Sequence, residues 1–258
     1  MKIGFIGMGN MAKALTIGFL STGMVKKEEV FAYAPHQYKL NQNAKEIGFG
    51  ACQSASEVVD KSDLVIFACK PFQIKDVCHE VKASIEGKAL LSVALGWYFE
   101  DYSKIFAQTR IQCIMPNTPA SVSKGVFLFE EANTFTEEEN SFVKDLFSKI
   151  GLVEVLPTNL IGIGGAISGC GPAFMDLCME AYADAAVKYG IKREMAYRIV
   201  SQTMLGSAAL QLETGKHPGV LKDEVCSPGG STICGVTALE ENGFRNACIQ
   251  SIDAIMNR

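Results

Sequence analysis

Short apolar runs alternate with amphipathic stretches through residues 1–157 of the chain. The runs are apolar on both faces, which is typical of strands buried in a parallel sheet between layers of helices. The stretches between them, such as Met11–Leu20 and Ile74–Val81, repeat apolar residues at helical spacing. This alternation predicts an α/β domain. The predicted strands are Lys2–Ile6, Val30–Tyr33, Leu64–Ala68, Leu90–Ala94, Ile111–Met115, Val126–Phe129 and Leu152–Leu156.

An acidic run, Glu137-Glu138-Glu139, stands between the last two predicted strands. It fits the first turn of a helix that begins at Thr136, because carboxylates are favoured at a helix N-terminus. Thr136 and Glu139 also have the spacing of a capping box. We therefore interpret the run as a helix start and not as a metal site.

The strand signal disappears from Leu160 onwards, and helical period and propensity replace it. Breaks are expected at Gly190 and around residues 215–219, which contain Gly and Pro. The predicted helices look apolar on more than one face, and a small helical domain commonly buries such surplus surface against another subunit. These helices are residues 172–189, 193–213 and 231–257.

We place the domain boundary at Pro157, where strand patterns give way to helical ones. Residues 1–157 then form an α/β domain, and residues 158–258 form an all-helical domain. No internal repeat, low-complexity tract or long linker is visible.

Composition and charge indicate an ordinary soluble globular protein. Of the 258 residues, 48% are apolar and 20% are charged, and the formal net charge is −4 at pH 7. No basic patch is visible, so nucleic acid and anionic membranes are unfavourable partners. The uncharged stretch Leu160–Met175 contains five glycines and Pro172, and it is too short to span a bilayer.

The cysteines and histidines give no sign of a disulfide framework or a metal site. Nine cysteines are present without a C-x-x-C pair, and an odd number without a secretory signal predicts free thiols in a reducing cytoplasm. The three histidines, His36, His79 and His217, have no metal-ligand spacing, so we expect no metal. His217 precedes Pro218 and fits a cap or turn better than a catalytic base.

The first predicted strand continues into G-x-G-x-x-A at a helix start, made by Gly7, Gly9 and Ala12. Gly7 permits a tight turn, Gly9 lets the backbone approach a pyrophosphate, and Ala12 allows the helix to pack close to the strand. Alone the motif is weak evidence, but its position between a strand and an amphipathic helix makes it strong. It predicts a dinucleotide-binding domain.

The end of the second predicted strand indicates which dinucleotide is preferred. An enzyme that uses NAD usually has Asp or Glu there to hold the ribose 2′-hydroxyl, and the segment Ala32–Gln37 has no acid. His36, Gln37 or Lys39 could donate to a 2′-phosphate instead. No arginine is present, so the segment favours NADP only moderately, and NADH stays possible.

Two further strand ends carry unusual residues. Lys70 and Pro71 follow the third predicted strand, and Pro71 suits the first position of a helix. Asn117 follows the fifth, in a loop with proline on both sides. Strand C-termini of open α/β sheets line the ligand crevice, so both residues are candidates. The alternatives are a solvated lysine, and an asparagine that bonds its own backbone in a turn.

Residues Val225–Thr232 make a glycine-rich turn just before a predicted helix. Pro228 and the two glycines after it expose backbone N–H groups, and Ser227, Ser231 and Thr232 place three hydroxyls around them. An uncharged helix start of this kind suits a small carboxylate. The alternative is a plain loop whose Ser or Thr caps the helix.

These motifs together resemble pyrroline-5-carboxylate reductase over nearly the whole chain. They are the N-terminal fingerprint, Ala68–Pro71, Met115–Pro119, Ser168–Ala173, and His217–Gly219 continuing through Ser227–Thr232. The resemblance implies a Rossmann domain followed by a helical dimerisation domain, with dimers that often assemble into decamers. It implies hydride transfer from NAD(P)H to the C=N carbon of 1-pyrroline-5-carboxylate, which gives L-proline. Members of that family often have Val at the place of Cys69, and some have Asn at the place of Ala55.

The residue pattern and the resemblance together assign the site. We expect the Thr232 hydroxyl to be catalytic by bonding the imine nitrogen, as donor to the neutral form or acceptor from the protonated form, whereas a simple cap is the alternative. Substrate contacts are expected from Asn117, Ser227, Gly229, Gly230, Ser231 and Thr232. Cofactor contacts are expected from Ile6, Gly7, Met8, Gly9, Asn10, Met11, Ala34, His36, Ala68, Cys69, Lys70, Pro71, Ala94 and Gly96.

Two other functions share part of this sequence pattern. A β-hydroxyacid dehydrogenase has a similar architecture but carries a lysine, as acid/base, and an asparagine where this chain has Met175 and Cys178. An alcohol–ketone reaction needs a proton carrier at that place, so this function is disfavoured. A non-catalytic NADP-binding regulator would bind the cofactor without oxidising NADPH when 1-pyrroline-5-carboxylate is added.

Overall fold

The computed structural model describes all residues from Met1 to Arg258. Eight strands form one sheet in the order β3-β2-β1-β4-β5-β6-β7-β8. The strands β1 to β6 are mutually parallel, so their carboxyl ends meet at one edge. The strands are β1 Ile3–Ile6, β2 Val30–Tyr33, β3 Gly50–Ala51, β4 Leu64–Phe67, β5 Ala89–Ser92, β6 Arg110–Pro116, β7 Gly125–Asn133 and β8 Gly151–Leu156.

The helices fall between the strands and then follow them without interruption. Short 3₁₀ helices are also present at Lys27–Glu29, Pro71–Gln73 and Thr118–Val122. The α-helices are α1 Asn10–Ser21, α2 Gln37–Ile47, α3 Ala55–Lys61, α4 Ile74–Val81, α5 Phe99–Ser103, α6 Glu137–Ser148, α7 Thr158–Ser168, α8 Gly171–Lys188, α9 Arg193–Thr214, α10 Pro218–Glu224, α11 Ser231–Glu241 and α12 Phe244–Met256.

The core lies on both faces of the sheet, as the doubly apolar strands predict. Alternate residues of one strand point to opposite faces, so Ile3 and Phe5 join one apolar cluster and Ile6 joins the other. In β4, Ile66 and Phe67 divide in the same way. Helices on each face cover these clusters, and the predicted Rossmann-type α/β architecture is confirmed.

Strand β7 runs antiparallel to β6, although the rest of the sheet is parallel. The loop from Asn117 to Lys124 is too short for a parallel crossover, which needs a dozen or more residues. The next connection contains α6, and β8 is accordingly parallel to β7. Strand β3 was not predicted from the sequence, because two residues are too few to show an apolar pattern.

The acidic run is confirmed as a helix start. The Thr136 hydroxyl accepts a hydrogen bond from the Glu139 N–H at 3.2 Å, and the Glu139 carboxylate accepts one from the Thr136 N–H at 2.9 Å. Arg110 pairs with the same carboxylate at 2.7 Å. Burial raises the pKa of Glu139, but the hydrogen bonds from Arg110 and Thr136 outweigh it, and the pKa lies below its ordinary value.

The chain divides into two compact units, Met1–Pro172 and Ala173–Arg258. Helix α7 belongs to the first unit, where it packs against β6 and β7. The helical character of residues 172–189 and 193–213 is confirmed by α8 and α9.

Two details of the C-terminal helices differ from the prediction. The single helix predicted over residues 231–257 is interrupted at Gly243, whose φ of +74° ends the regular helix between α11 and α12. The break expected around residues 215–219 is present at residues 215–217, between α9 and α10, but α10 itself was not predicted. His217 does act as the predicted cap, since its Nδ1 accepts from the Gly219 N–H at 3.0 Å.

One helical stretch, Thr158–Lys188, is long and apolar enough to cross a membrane by length and composition alone. Residues 160–175 were expected to fall short, but the structure extends the apolar stretch through α8. A single stretch of this kind is weak evidence, because the core helix of a soluble protein passes the same test.

Candidate active site

The turn between β1 and α1 makes a close backbone contact with the end of β4. Gly7 has φ +100°, a conformation that residues with a side chain rarely adopt. A Cβ atom on Gly7 would lie 2.6 Å from the backbone of Ala68 and of Cys69. The Gly7 N–H donates to the carbonyl of Tyr33 at 2.8 Å, which ties the turn to the end of β2. The turn is therefore as tight as the glycine motif predicts.

The N-terminus of α1 is open and uncapped. Gly9 is its N-cap residue, no side chain caps the helix, and no acid occupies its first turn. A Cβ placed on Gly9 would have no neighbour within 4 Å. Free N–H donors at the positive end of a helix dipole bind phosphate. The side chains of Ile6 and Met8 are buried, so these two residues can contact a ligand only through their backbone.

The end of β4 continues the same surface. The Ala68 N–H donates to the Ile6 carbonyl at 2.9 Å, and Pro71 occupies the first position of a 3₁₀ helix, as predicted. Lys70 is exposed, and its backbone N–H donates to Gln73 Oε1 at 3.1 Å. Burial raises the pKa of the Cys69 thiol to about 11, so this thiol stays neutral and is no nucleophile at neutral pH.

The loop after β5 is held by a buried chain of hydroxyl groups. The Ser92 hydroxyl lies 2.7 Å from the Tyr102 hydroxyl and accepts from the Ala94 N–H at 3.2 Å. Tyr102 is fully buried, and burial raises its pKa far above the ordinary value, so the phenol stays protonated. Gly96 follows in the left-handed region with φ +77°. Sequence reasoning missed Ser92 and Tyr102 because nothing in their types or spacing marks them as partners.

The end of β2 distinguishes among the predicted donors to a 2′-phosphate. Gln37 donates through Nε2 to the carbonyls of Ala34 and Cys52, at 3.1 and 3.3 Å, so its amide serves the fold. His36 is the exposed N-cap residue of α2 and makes no cap hydrogen bond. Lys39 is exposed on the same helix. His36 and Lys39 are the side chains available to an anion at this strand end.

Asn117 follows β6 and is only 5% exposed. Its Oδ1 accepts from the Val126 N–H at 2.8 Å, and its Nδ2 donates to the Ser168 carbonyl at 3.0 Å. The side chain therefore joins the end of β6 to β7 and α7, and it does not bond its own turn. Both polar atoms of its amide are hydrogen-bonded to backbone groups, so the Asn117 side chain fixes the conformation of the loop after β6.

The first unit thus collects its predicted site residues at one sheet edge. β2, β1, β4, β5 and β6 are adjacent, and their carboxyl ends lead to His36, Gly7, Lys70, Gly96 and Asn117. Strand order reverses at β1, the position at which open α/β sheets bind dinucleotides. The glycine contact, the uncapped helix and the absence of acid fit a dinucleotide with its pyrophosphate at α1.

In the second unit, residues Ser227–Gly230 form the predicted turn. The Gly230 N–H donates to the Ser227 carbonyl at 3.0 Å, with Pro228 and Gly229 at the central positions and φ +69° at Gly229. That is a type II turn. Helix α11 begins at Ser231 directly after it.

The hydroxyl groups around this turn make no hydrogen bond within the chain. Gly230 is the N-cap residue of α11, no side chain caps the helix, and no acid lies in its first turn. Thr232 therefore does not cap α11, which removes the structural alternative for its hydroxyl. It lines a largely apolar groove of about 570 Å³ together with Tyr182 and the α11 residues Gly235, Val236, Ala238, Leu239 and with Asn242.

Two family models match the chain. The model described as "Pyrroline-5-carboxylate reductase dimerisation" matches residues 158–258. The model described as "NADP oxidoreductase coenzyme F420-dependent" matches residues 2–96, which contain the glycine turn and the ends of β2, β4 and β5.

Relatives of known identity match along the full length. The pyrroline-5-carboxylate reductase of Treponema pallidum is 40% identical, over 100% of this chain and 99% of the relative. That of Escherichia coli is 38% identical, over 100% and 96%.

A solved structure has the same fold. The Plasmodium falciparum pyrroline carboxylate reductase, crystallised with NADP bound, has a TM-score of 0.90 and 31% identity, covering 99% of this chain and 95% of that one. Full-length identity, the dimerisation domain and the shared fold agree. The chain therefore belongs to the pyrroline-5-carboxylate reductase family, oxidoreductases that reduce 1-pyrroline-5-carboxylate to proline with a nicotinamide dinucleotide.

Proposed function

We propose that the predicted cofactor and substrate residues perform this reduction, with NADPH as the preferred cofactor. The observation that carries the proposal is the meeting of adjacent strand ends beside an open, uncapped α1. The cofactor supplies the hydride when it is bound. Gly7 to Met11 hold the pyrophosphate through backbone N–H groups, and Ala94 and Gly96 line the place of the nicotinamide.

The substrate carboxylate is held by the turn at Ser227–Gly230 and the first N–H groups of α11. Both lack charged side chains, so binding depends on neutral donors and the helix dipole. A cyclic imine is already electrophilic, and its reduction needs positioning more than a strong acid. The Thr232 hydroxyl orients the imine nitrogen, as donor to its neutral form or acceptor from its protonated form. Asn117 contributes by fixing the loop after β6 and not by direct contact.

The preference for NADPH rests on the missing acid after β2 and the free side chains of His36 and Lys39. We place the protein in the cytoplasm, since its nine cysteines are all free.

The helical unit supports a dimer. Within residues 173–258 only Ala183 and Ala196 are buried, whereas large side chains such as Leu177 and Leu212 are 65% and 73% exposed. Such a unit lacks a core of its own and needs apolar surface from another chain. We propose that a second copy supplies it, through the Thr158–Lys188 stretch and α9, and that dimers assemble further into a decamer.

Turnover tests the function. Oxidation of NADPH, followed by absorbance, should depend on added 1-pyrroline-5-carboxylate and yield proline. We expect kcat/KM with NADPH to exceed that with NADH by about tenfold, the worth of one charge-assisted hydrogen bond. Binding of NADPH without turnover would identify a regulator, and a higher kcat/KM with NADH would refute the cofactor preference.

Substitution of Gly7 and of Gly9 by alanine should have different effects, one on stability and the other on NADPH affinity. Gly7→Ala introduces strain and a backbone clash, so we expect a loss of about 2–4 kcal/mol in the free energy of unfolding. Gly9→Ala meets open space, so its melting temperature should stay near that of the parent while the Kd for NADPH rises about tenfold. Thermal melts and calorimetric titrations measure both effects. Unchanged NADPH affinity in Gly9→Ala would contradict the pyrophosphate assignment.

The mass of the protein in solution tests the proposed dimer and decamer. Light scattering at micromolar concentration should give two or ten times the mass of one chain. Leu212→Lys should lower the mass or unfold the chain, whereas Tyr38→Lys, at a residue 86% exposed on α2, should leave the mass unchanged. A fully active monomer would refute the dimer.

The Thr232 hydroxyl is tested by two variants. Thr232→Ala should lower kcat/KM by about 10–100-fold, because a hydrogen bond to a group that becomes charged is lost, and Thr232→Ser should recover much of the rate. NADPH affinity should not change, since the Gly7 turn binds the cofactor separately. A Thr232→Ala enzyme that turns over like the parent would show that the substrate assignment is wrong.

A further inference from the structure

Glu130 on β7 is a buried carboxylate without a cation. Its side chain is 1% exposed, and no Lys, Arg or His forms an ion pair with it. A buried charge is costly unless strong donors satisfy it. The reduction proposed above makes no use of this group, so its partners indicate what it does.

Two donors from different parts of the chain hold the carboxylate. The Phe99 N–H donates to Oε2 at 2.8 Å, and the Thr158 hydroxyl donates to Oε1 at 2.6 Å. The thiol of Cys113 also lies against it, and burial together with this negative charge raises the pKa of Cys113. Each oxygen of the carboxylate therefore has its own strong donor, and each donor is the first residue of a helix, α5 or α7.

The hydrogen bond from the Phe99 N–H to Glu130 fixes the end of the loop that carries Ala94 and Gly96. Ser92 and Tyr102 hold the beginning of this loop through the Ala94 N–H, and Glu130 holds its end. The loop is thus fixed at both ends by buried polar side chains. The other oxygen of Glu130 ties the same point to the start of α7, where the match to the dimerisation domain begins.

We propose that Glu130 is a positioning residue for the nicotinamide. It sets the loop of Ala94 and Gly96 against the first turn of α7, and so fixes where the nicotinamide end of the cofactor is held. This inference rests on the proposed assignment of Ala94 and Gly96. It separates the nicotinamide from the rest of the cofactor, because the proposed contacts of Gly7 with the pyrophosphate and of His36 with the 2′-phosphate do not involve Glu130.

Binding of two ligands that differ only in the nicotinamide tests the proposal. NADP⁺ and 2′-phospho-ADP-ribose are titrated calorimetrically into the full chain. Glu130→Ala should raise the Kd for NADP⁺ about tenfold, as expected for a lost charge-assisted contact. The Kd for 2′-phospho-ADP-ribose should stay within about twofold of the parent value, as for distant sites.

Conservative variants give a graded response. Glu130→Gln keeps an acceptor for the Phe99 N–H and can donate to the Thr158 oxygen, so it should recover most of the NADP⁺ affinity. Thr158→Val removes one donor. It should raise the ratio of the Kd for NADP⁺ to the Kd for 2′-phospho-ADP-ribose by about threefold. If Glu130→Ala does not fold, the ratio of the two Kd values in Thr158→Val tests the positioning role instead.

Glu139→Gln is the matched control, because Glu139 is a mostly buried carboxylate that pairs with Arg110. It should lower stability and leave the ratio of the two Kd values at the parent value. A parental ratio in Glu130→Ala, or in Thr158→Val, would overturn the positioning role. A parent chain that binds NADP⁺ but does not reduce 1-pyrroline-5-carboxylate would refute the reaction, and the ratio would still test Glu130.

Discussion

The close contact between the β1 turn and the end of β4 is the constraint on which the rest of the first unit depends. No side chain fits at Gly7, since a Cβ would lie 2.6 Å from the backbone of Ala68 and Cys69. This contact lies directly before α1, at the point where strand order reverses. The loops after β2 and β5 then flank an open helix N-terminus. A larger residue would force the backbone at Gly7 and at Ala68 to move apart.

The two proposed ligand positions both lie at helix starts that lack charged side chains. Helices α1 and α11 begin without a side-chain cap and without an acid in the first turn. By contrast, α6 begins with a full capping box and three acids, and it lies outside the predicted site. Helices α2 and α12 also begin without a side-chain cap or an acid in the first turn, so a missing cap is not by itself specific to α1 and α11. At α1 and α11 it coincides with the glycine turns predicted from the sequence.

The sequence predicted most of the fold and the glycine turns that the structure contains, because both depend on local patterns. Doubly apolar runs marked the strands, and glycine spacing marked the two turns. The contacts made at long range were missed. Nothing near Ser92 or Glu130 reveals a partner at Tyr102 or Thr158, since a buried hydrogen bond leaves no periodic trace. The antiparallel direction of β7, which loop length explains, was not predicted, and the break at Gly243 was hidden within a continuous helical pattern.

The sparse interior of residues 173–258 has a consequence for how the chain is made. Burying Ala183 and Ala196 alone cannot offset the conformational entropy of ordering α9, a helix of 22 residues. With a second copy as the proposed partner, folding of this half is a bimolecular event, and its rate rises with the square of the concentration of newly synthesised chains. Dilute chains expose apolar helices to proteases and to one another. The fraction of chains that fold therefore depends on how many chains the cell makes. A variant subunit that folds poorly also impairs the normal subunits with which it assembles.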